Sequence, residues 1–258
     1  MPKYELGAAR KPHEIILELT MIDKYDADAL VRRHWDTWPD ASFLSGLPDQ
    51  DAKDLLRRGK PQAHGEGVTL IREGEPGDSV FLLVHGAVKV FTDRKPRGCV
   101  LHDIRSSGDV VGEFAFMDGG PRSATVRTSL RDNLVVAVPF AALSEIARER
   151  PEIRRGLEVA MGEKARAQMR RHSDGPRSLE IRLARALVEL TERHGRETRD
   201  GLELAVGMTQ EELGSYVSTK RNRVNGVLRR LGKDGVLKTG RKTIIVLDMQ
   251  RLKELARS

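Results

Sequence analysis

Between about residues 60 and 140 the chain repeats short apolar or alternating runs: VTLI, VFLLV, AVKVF, VLHDI, ATVRT and LVVAV. Glycines punctuate them at 65, 67, 74, 77, 86, 98 and 108. β-Branched residues in short runs with regular turn signals predict an all-β sandwich or barrel. Gly77-Asp78 and His85-Gly86 read as tight turns. Helical spacing flanks this region. FLSGLPDQDAKDLLRR, residues 43–58, predicts a short helix with Leu47, Leu55 and Leu56 on its apolar side and Pro48-Asp49 at its start. From about 140 to 172 the spacing is helical again, with Pro151 in a first turn. Ile153, Leu157, Met161 and Met169 recur four or eight apart among dense charge. One narrow seam of that kind suits a two-helix contact between copies better than a broad core face.

Ser173-Asp174-Gly175-Pro176 interrupts the pattern and marks a domain boundary. Residues 177–193 predict another amphipathic helix through Leu179, Ile181, Leu183, Leu187 and Leu190, and His194–Gly201 reads as a charged loop. In MTQEELGSYVSTKRNRVNGVLRRL, residues 208–231, Thr209 and Glu212 form a capping-box pattern that starts a helix running to Val217. Ser218 or Thr219 is expected to cap the next helix. That helix has Val224, Val227, Leu228 and Leu231 inside, and Lys220, Arg221, Asn222, Arg223, Asn225 and Arg229 outside. Two short helices joined by a tight turn, the second one basic, predict a helix-turn-helix. GVLKTGRKTIIVLD, residues 235–248, adds a β-hairpin with a basic tip. Residues 1–42 hold both tryptophans and helix-like patches such as HEIILELTMI, but no motif.

Charge sharpens this division. The net charge is +7, and from Arg177 onward there are 18 Lys and Arg against 11 Asp and Glu, so the first 176 residues balance to zero. A neutral body with a basic terminal domain points to a polyanion, most simply nucleic acid. No apolar run approaches the roughly 20 residues of a membrane span, and MPKYELGAARKPHE lacks a signal-peptide core. A cytoplasmic protein without membrane contact is expected. The single Cys99 excludes an internal disulfide, a thiolate zinc site and an iron–sulfur cluster. Histidines 13, 34, 64, 85, 102, 172 and 194 lack metal-ligand spacing. No metal, no tightly bound cofactor and no catalytic constellation is expected, since hydrolysis of a phosphate would need a metal or a general base to activate water.

One stretch remains, GEFAFMDGGPRSATV, residues 112–126, with an acid, a guanidinium and a hydroxyl set in an apolar run. Those groups suit a small anion that carries a sugar. Taken with the order barrel, long helix, hinge and winged helix-turn-helix, this stretch and TQEELGSYVSTKRNRVNGVLRRL make the chain resemble the cyclic-AMP receptor protein/FNR family of bacterial transcription regulators over about residues 43–250. The resemblance implies an α+β fold: a cyclic-nucleotide-binding β-roll (43–148), a dimerisation helix and hinge (149–175), and a winged helix-turn-helix (176–258), after an extension (1–42) of unassigned role. It implies a homodimer through residues 151–172, double-stranded DNA with a near-palindromic site as partner, and contact with RNA polymerase. The effector would be cyclic AMP or cyclic GMP. Gly112 would allow close backbone approach and Glu113 would take the ribose 2′-hydroxyl. Arg122 and Ser123 would hold the cyclic phosphate. Without ligand, Glu113 and Arg122 are expected to pair.

Two departures from the family pattern matter. Where cyclic-AMP-binding members carry a Thr-Ser pair, counting back from Arg182 gives Ala167 and Gln168, so only Gln168 offers polar atoms to the base. The second helix reads Lys220-Arg221-Asn222-Arg223-Val224, where Ser-Arg-Glu-Thr-Val is common, and Gly226 stands in place of a later Arg. Arg221 retains a guanine reader, while Asn222 favours adenine over cytosine. Thr209 and Gln210 are expected at phosphate. The alternative is a regulator of the same build that binds DNA without a cyclic mononucleotide, or answers to another effector such as a cyclic dinucleotide.

Overall fold

The protein, seen here as a computed structural model, is described over residues 26–93, 99–173 and 177–257. The helix-like run at residues 13–22 and the break at 174–176 lie outside these residues.

The apolar runs VFLLV and LVVAV fall in β3 (Ser79–His85) and β8 (Asn133–Pro139), which pair antiparallel with Phe81 opposite Ala137. Neither run alternates with polar residues, because their sheet is covered on both faces. Val80, Leu82, Val84, Leu134, Val136 and Val138 face a layer of helices. Phe81, Leu83 and Val135 face the barrel interior, against Ile71, Val88 and Val126 of a second sheet. The first sheet has the order β1-β8-β3-β6, with β1 at Lys60–His64 and β6 at Val110–Val111. The second has the order β2-β7-β4-β5, formed by Thr69–Ile71, Thr125–Thr128, Ala87–Asp93 and Cys99–Ser106. His85-Gly86 does join β3 to β4. Gly77-Asp78 is not a turn: it leads into β3, and the turn falls at Glu73-Gly74.

Four helices cover the first sheet: α1 (Ala27–His34), α2 (Asp49–Arg57), α4 (Phe140–Glu149) and the start of α5 (Pro151–Ser173). Asp26 caps α1 by accepting from the N–H groups of Asp28 and Ala29, at 2.9 and 3.1 Å. The Trp38 indole donates to the Val84 carbonyl at 2.8 Å. Residues 26–42 therefore pack on the barrel. The seam along α5 divides. Ile153 and Leu157 are buried against this chain's own barrel, Met161 is half-buried and Met169 is 71 % exposed; Val159, off that seam, is 49 % exposed. The first turns of α5 follow α4 directly and lie over the same apolar sheet face, so they are consumed internally.

Beyond the hinge, Ser178 caps α6 (Leu179–His194), and Leu183, Leu187 and Leu190 are buried. The expected loop after His194 is instead a hairpin, β9 (Gly195–Thr198) and β10 (Gly201–Leu204). Gly-Arg-Glu-Thr carries no apolar residue to signal a strand. β10 pairs with β12 (Thr243–Val246), which pairs with β11 (Leu237–Gly240), so the wing belongs to a four-stranded sheet. A last helix, α9 (Met249–Arg257), packs on α6, where Arg185 Nε donates to the Ala256 carbonyl at 2.7 Å. The two helix-turn-helix elements are α7 (Gln210–Tyr216) and α8 (Arg221–Lys233). Together with α6 they share one core with Ala87, Phe91, Leu101 and Ile104 on the outer face of β4 and β5. Among the described residues no helix is long and apolar enough to cross a membrane.

Candidate nucleotide pocket and nucleic-acid interface

The stretch GEFAFMDGGPRSATV links β6 to β7 around a short helix, α3 (Glu113–Asp118). Gly112 starts that helix with φ +89°, and a Cβ there would stand 2.5 Å from Arg122 Nη1. Both facts demand glycine. Gly77, taken for a turn residue in sequence, has the same purpose, since its Cβ would meet the Arg122 guanidinium at 3.0 Å. The backbone thus makes room for Arg122. This side chain is 7 % exposed and donates to the carbonyls of Ser79 (2.7 Å) and Gly112 (3.2 Å). Burial pulls its pKa below the usual value, opposed by Asp78 and Glu113. An arriving anion would relieve that cost.

Glu113 and Arg122 do not pair. Glu113, 1 % exposed, is held by Lys164 of α5, with Nζ 2.6 Å from Oε1; Nζ also donates to the Val110 carbonyl at 2.7 Å. Oε2 of Glu113 is buried without a hydrogen-bond partner. That carboxylate thus presents a vacant acceptor, the kind of atom that a ligand hydroxyl satisfies. Lys164 was missed in sequence because it sits in a run of charges, EKARAQMRR, that all look solvated. Its one distinguishing signal is phase: Lys164, Gln168 and Arg171 fall on one helix face, i, i+4 and i+7.

These groups line one cavity of about 420 Å³, within the usual range of small-molecule sites, about 300–1,000 Å³. Its floor is apolar, from Ile71, Val90, Val111 and Val126, and Ser123 and Gln168 reach it. Four cations line it, Arg105, Arg122, Lys164 and Arg171, against two carboxylates, Asp103 and Glu113. Burial opposes ionisation of Asp103, but Arg105, Arg171 and Arg193 outweigh it and hold the carboxyl below its ordinary range. Ala167, expected beside Gln168 at the base, faces elsewhere: it is 3 % exposed and lines a cleft with Arg185 and Val188. Successive helix positions are 100° apart, so both cannot face the barrel. Cys99 is exposed at the start of β5, and His102 is hydrogen-bonded to Thr92.

In the basic domain the capping box is complete. Thr209 Oγ1 accepts from Glu212 N at 3.1 Å, and Thr209 N donates to Glu212 Oε2 at 2.7 Å. Glu212 is in turn paired with Lys89 of β4 at 2.9 Å, and Lys89 donates to the Gly207 carbonyl at 2.9 Å. The N-terminal end of α7, with half-buried Thr209 and Gln210, therefore faces the barrel and not an open phosphate site. Neither Ser218 nor Thr219 caps α8. Lys220 is the N-cap, without a side-chain cap bond, and Ser218 bridges the turn with φ +55°. Lys220, Arg221, Asn222, Arg223 and Arg229 are exposed, as a reading face requires. Asn225 differs: it is half-buried, and its Oδ1 is enclosed without a partner. Gly226 is exposed within α8, and a Cβ there would meet nothing within 4 Å. Gly226→Ala is expected to stabilise the domain by about 0.5–1 kcal/mol. Chemical denaturation checks this, and a loss of stability would contradict it.

Residues 62–150 match the family model for a cyclic nucleotide-binding domain, and residues 181–255 match a Crp-like helix-turn-helix domain. A CRP-like cAMP-activated global transcriptional regulator of Mycobacterium tuberculosis is 28 % identical over 219 residues, 84 % of this chain and 97 % of that protein. The transcriptional activator protein Anr of Pseudomonas aeruginosa is 27 % identical over 212 residues, 81 % of this chain and 85 % of that one. Among solved structures, a transcriptional regulator from Thermus thermophilus superposes with TM-score 0.65 at 24 % identity, over 77 % of this chain and 99 % of that chain.

Proposed function

This chain belongs to the cyclic-AMP receptor protein/FNR family of DNA-binding transcription regulators, and on that premise we propose that a cyclic nucleotide in the barrel cavity controls its affinity for DNA. The observation that carries this reading is the vacant Glu113 Oε2 in the same cavity as Arg122 and Ser123. Glu113 takes the ribose hydroxyl, and Arg122 and Ser123 take the cyclic phosphate. Gln168 faces the base. The relative from M. tuberculosis carries cAMP activation in its name, which favours cyclic AMP over cyclic GMP. The protein acts in the cytoplasm as a homodimer. Val159 and Met169, exposed along α5, form part of the contact between copies. Two α8 helices, led by Lys220, Arg221, Asn222 and Arg223 and flanked by Thr209, Gln210, Ser218 and Thr219 once α7 is free of the barrel, read a near-palindrome with half-sites about one helical turn apart. RNA polymerase is the further partner.

Calorimetric titration with cyclic AMP and cyclic GMP, on wild type and Arg122→Ala, tests the effector. Binding by wild type that weakens at least tenfold in the variant supports the reading. No heat and no shift in melting temperature with either nucleotide sinks it. Selection of bound duplexes from a random pool tests the DNA site. The expected half-site differs from the family's common one at the position faced by Asn222.

A second reading is favoured by the surplus of cations in the cavity. Arg105 and Arg171 add to Arg122 and Lys164, so an effector with two anionic groups, such as a cyclic dinucleotide, also suits it. Heat with a cyclic dinucleotide, and none with either mononucleotide, selects this alternative.

A further inference from the structure

Arg171 stands where two cavities meet. It lines the nucleotide pocket, and it also lines a second cavity of about 400 Å³ between β5, α5, α6 and α7, together with Glu189, Ser215 and Tyr216. Its Nη1 is 3.1 Å from the Tyr216 hydroxyl and 3.5 Å from Glu189 Oε1, and its Nη2 is 3.9 Å from Asp103 Oδ2. Its guanidinium carbon lies 5.1 Å from the centre of the Tyr216 ring. One side chain of the long helix thus touches the barrel, α6 and the first helix of the reading head. We propose that Arg171 is the positioning residue through which an anion in the barrel cavity acts on the helix-turn-helix. The inference rests on the reading that this cavity takes an anionic effector.

The contacts are graded in a way that permits exchange. The two carboxylates stand 3.5 and 3.9 Å away, well outside the 2.7–2.9 Å of a committed charge-assisted bond. An anionic group entering from the pocket side offers Arg171 a closer partner. Moving the guanidinium toward it breaks the bond to Tyr216. Tyr216 is 7 % exposed, so away from Arg171 its hydroxyl has only the second cavity to turn to. Loss of that bond weakens the hold of α7 on β5 and biases α7 toward release. The remaining polar ties of the dock are the Leu101 N–H to Ser215 Oγ bond at 3.0 Å and the Lys89–Glu212 pair, beside the apolar contact of Leu213, Tyr216 and Val217 with Phe91, Leu101 and Ile104. Release of α7 also turns its N-terminal end, now against β4, toward the DNA backbone. By linkage, the same exchange makes DNA raise the affinity for the effector.

The test uses the full-length protein, a duplex recovered by random-pool selection, and cyclic AMP as probe. DNA affinity is measured with and without nucleotide for wild type, Arg171→Gln, Tyr216→Phe and the double variant. Tyr216→Phe keeps the ring and removes only the hydroxyl, so it guards against a folding defect in Arg171→Gln. In wild type the nucleotide is expected to change DNA affinity about 5–150-fold, the usual span of allosteric coupling. Each single variant should bring that ratio close to 1 and raise nucleotide-free DNA affinity several-fold. The double variant should add nothing further, because both changes remove one contact. Coupling retained in both single variants overturns the proposal. If wild type shows no cyclic AMP binding, the nucleotide reading fails, and nucleotide-free affinities then decide alone. Raised affinity in both variants keeps Arg171 as the tie between α5 and the reading head, and unchanged affinity overturns it.

Discussion

Replacing Lys164 by methionine destabilises the protein by about 3–5 kcal/mol, the usual cost of removing one partner from a buried ion pair. The pair is well enclosed, with the Lys164 side chain 12 % and the Glu113 side chain 2 % exposed. Methionine matches the length of lysine but leaves Glu113 with both oxygens unsatisfied, and it strips the Val110 carbonyl of its donor. Adding Glu113→Gln should recover a large part of the loss, because the uncompensated charge is then gone. Urea denaturation of the two single variants and the double one measures this. A Lys164→Met cost below about 1 kcal/mol, in the range of surface pairs, would show that the pair is solvated and contributes little. The expected pattern also explains how the pocket is built. Lys164 fixes one oxygen of Glu113 and leaves the other without a hydrogen-bond partner at the cavity.

Acidification between pH 6.5 and 5 lowers stability by roughly 2 kcal/mol for each of two histidines, at about 1.4 kcal/mol per pH unit per group. Burial, then His85 and Arg33, brings His34 down to about 4. Burial, then Arg193, brings His194 down to about 3, although Asp103 works against the shift. Both are bases that the fold holds neutral. Their contribution is complete above the unfolded value of about 6.5 and is lost as pH falls toward the folded values, because the unfolded chain takes up protons that the folded chain refuses. The His194 ring has Nδ1 3.0 Å from Ser106 Oγ and Nε2 enclosed without a partner, so no hydrogen bond rewards protonation, and the pull of Asp103 is outweighed by burial and Arg193. Denaturation curves at pH 7.5, 6 and 5 should show the decline, and His194→Asn should remove part of its slope, the rest coming from His34 and from His85 and His64, which burial also holds below their ordinary value. A flat profile would contradict the burial of both rings.

The sequence alone determined the elements whose cause is local. Thr209 and Glu212 lie three apart, and a capping box needs nothing else, so the start of α7 was legible. The runs VFLLV and LVVAV specified strands through β-branched content, and the charge surplus after Arg177 identified the domain that meets DNA. Gly112, Glu113, Arg122 and Ser123 could be picked out because four chemically unlike residues stood in an apolar run. Tertiary structure alone decided where those groups point. Glu113 has Lys164 and not Arg122 as its partner, because α5 crosses the mouth of the barrel 51 residues downstream, and no spacing rule reaches that far. Ile153 and Leu157 carry the same periodicity as Met169, yet the turn after α4 lays the first two on the barrel and leaves the third exposed. Periodicity specifies a face of a helix, but not what lies against it. The docking of α7 on β5 was equally hidden, since Lys89, Arg171 and Tyr216 look like ordinary surface and core residues until the two domains are brought together. Contacts between distant segments depend on the path of the whole backbone, and only the folded chain contains that path.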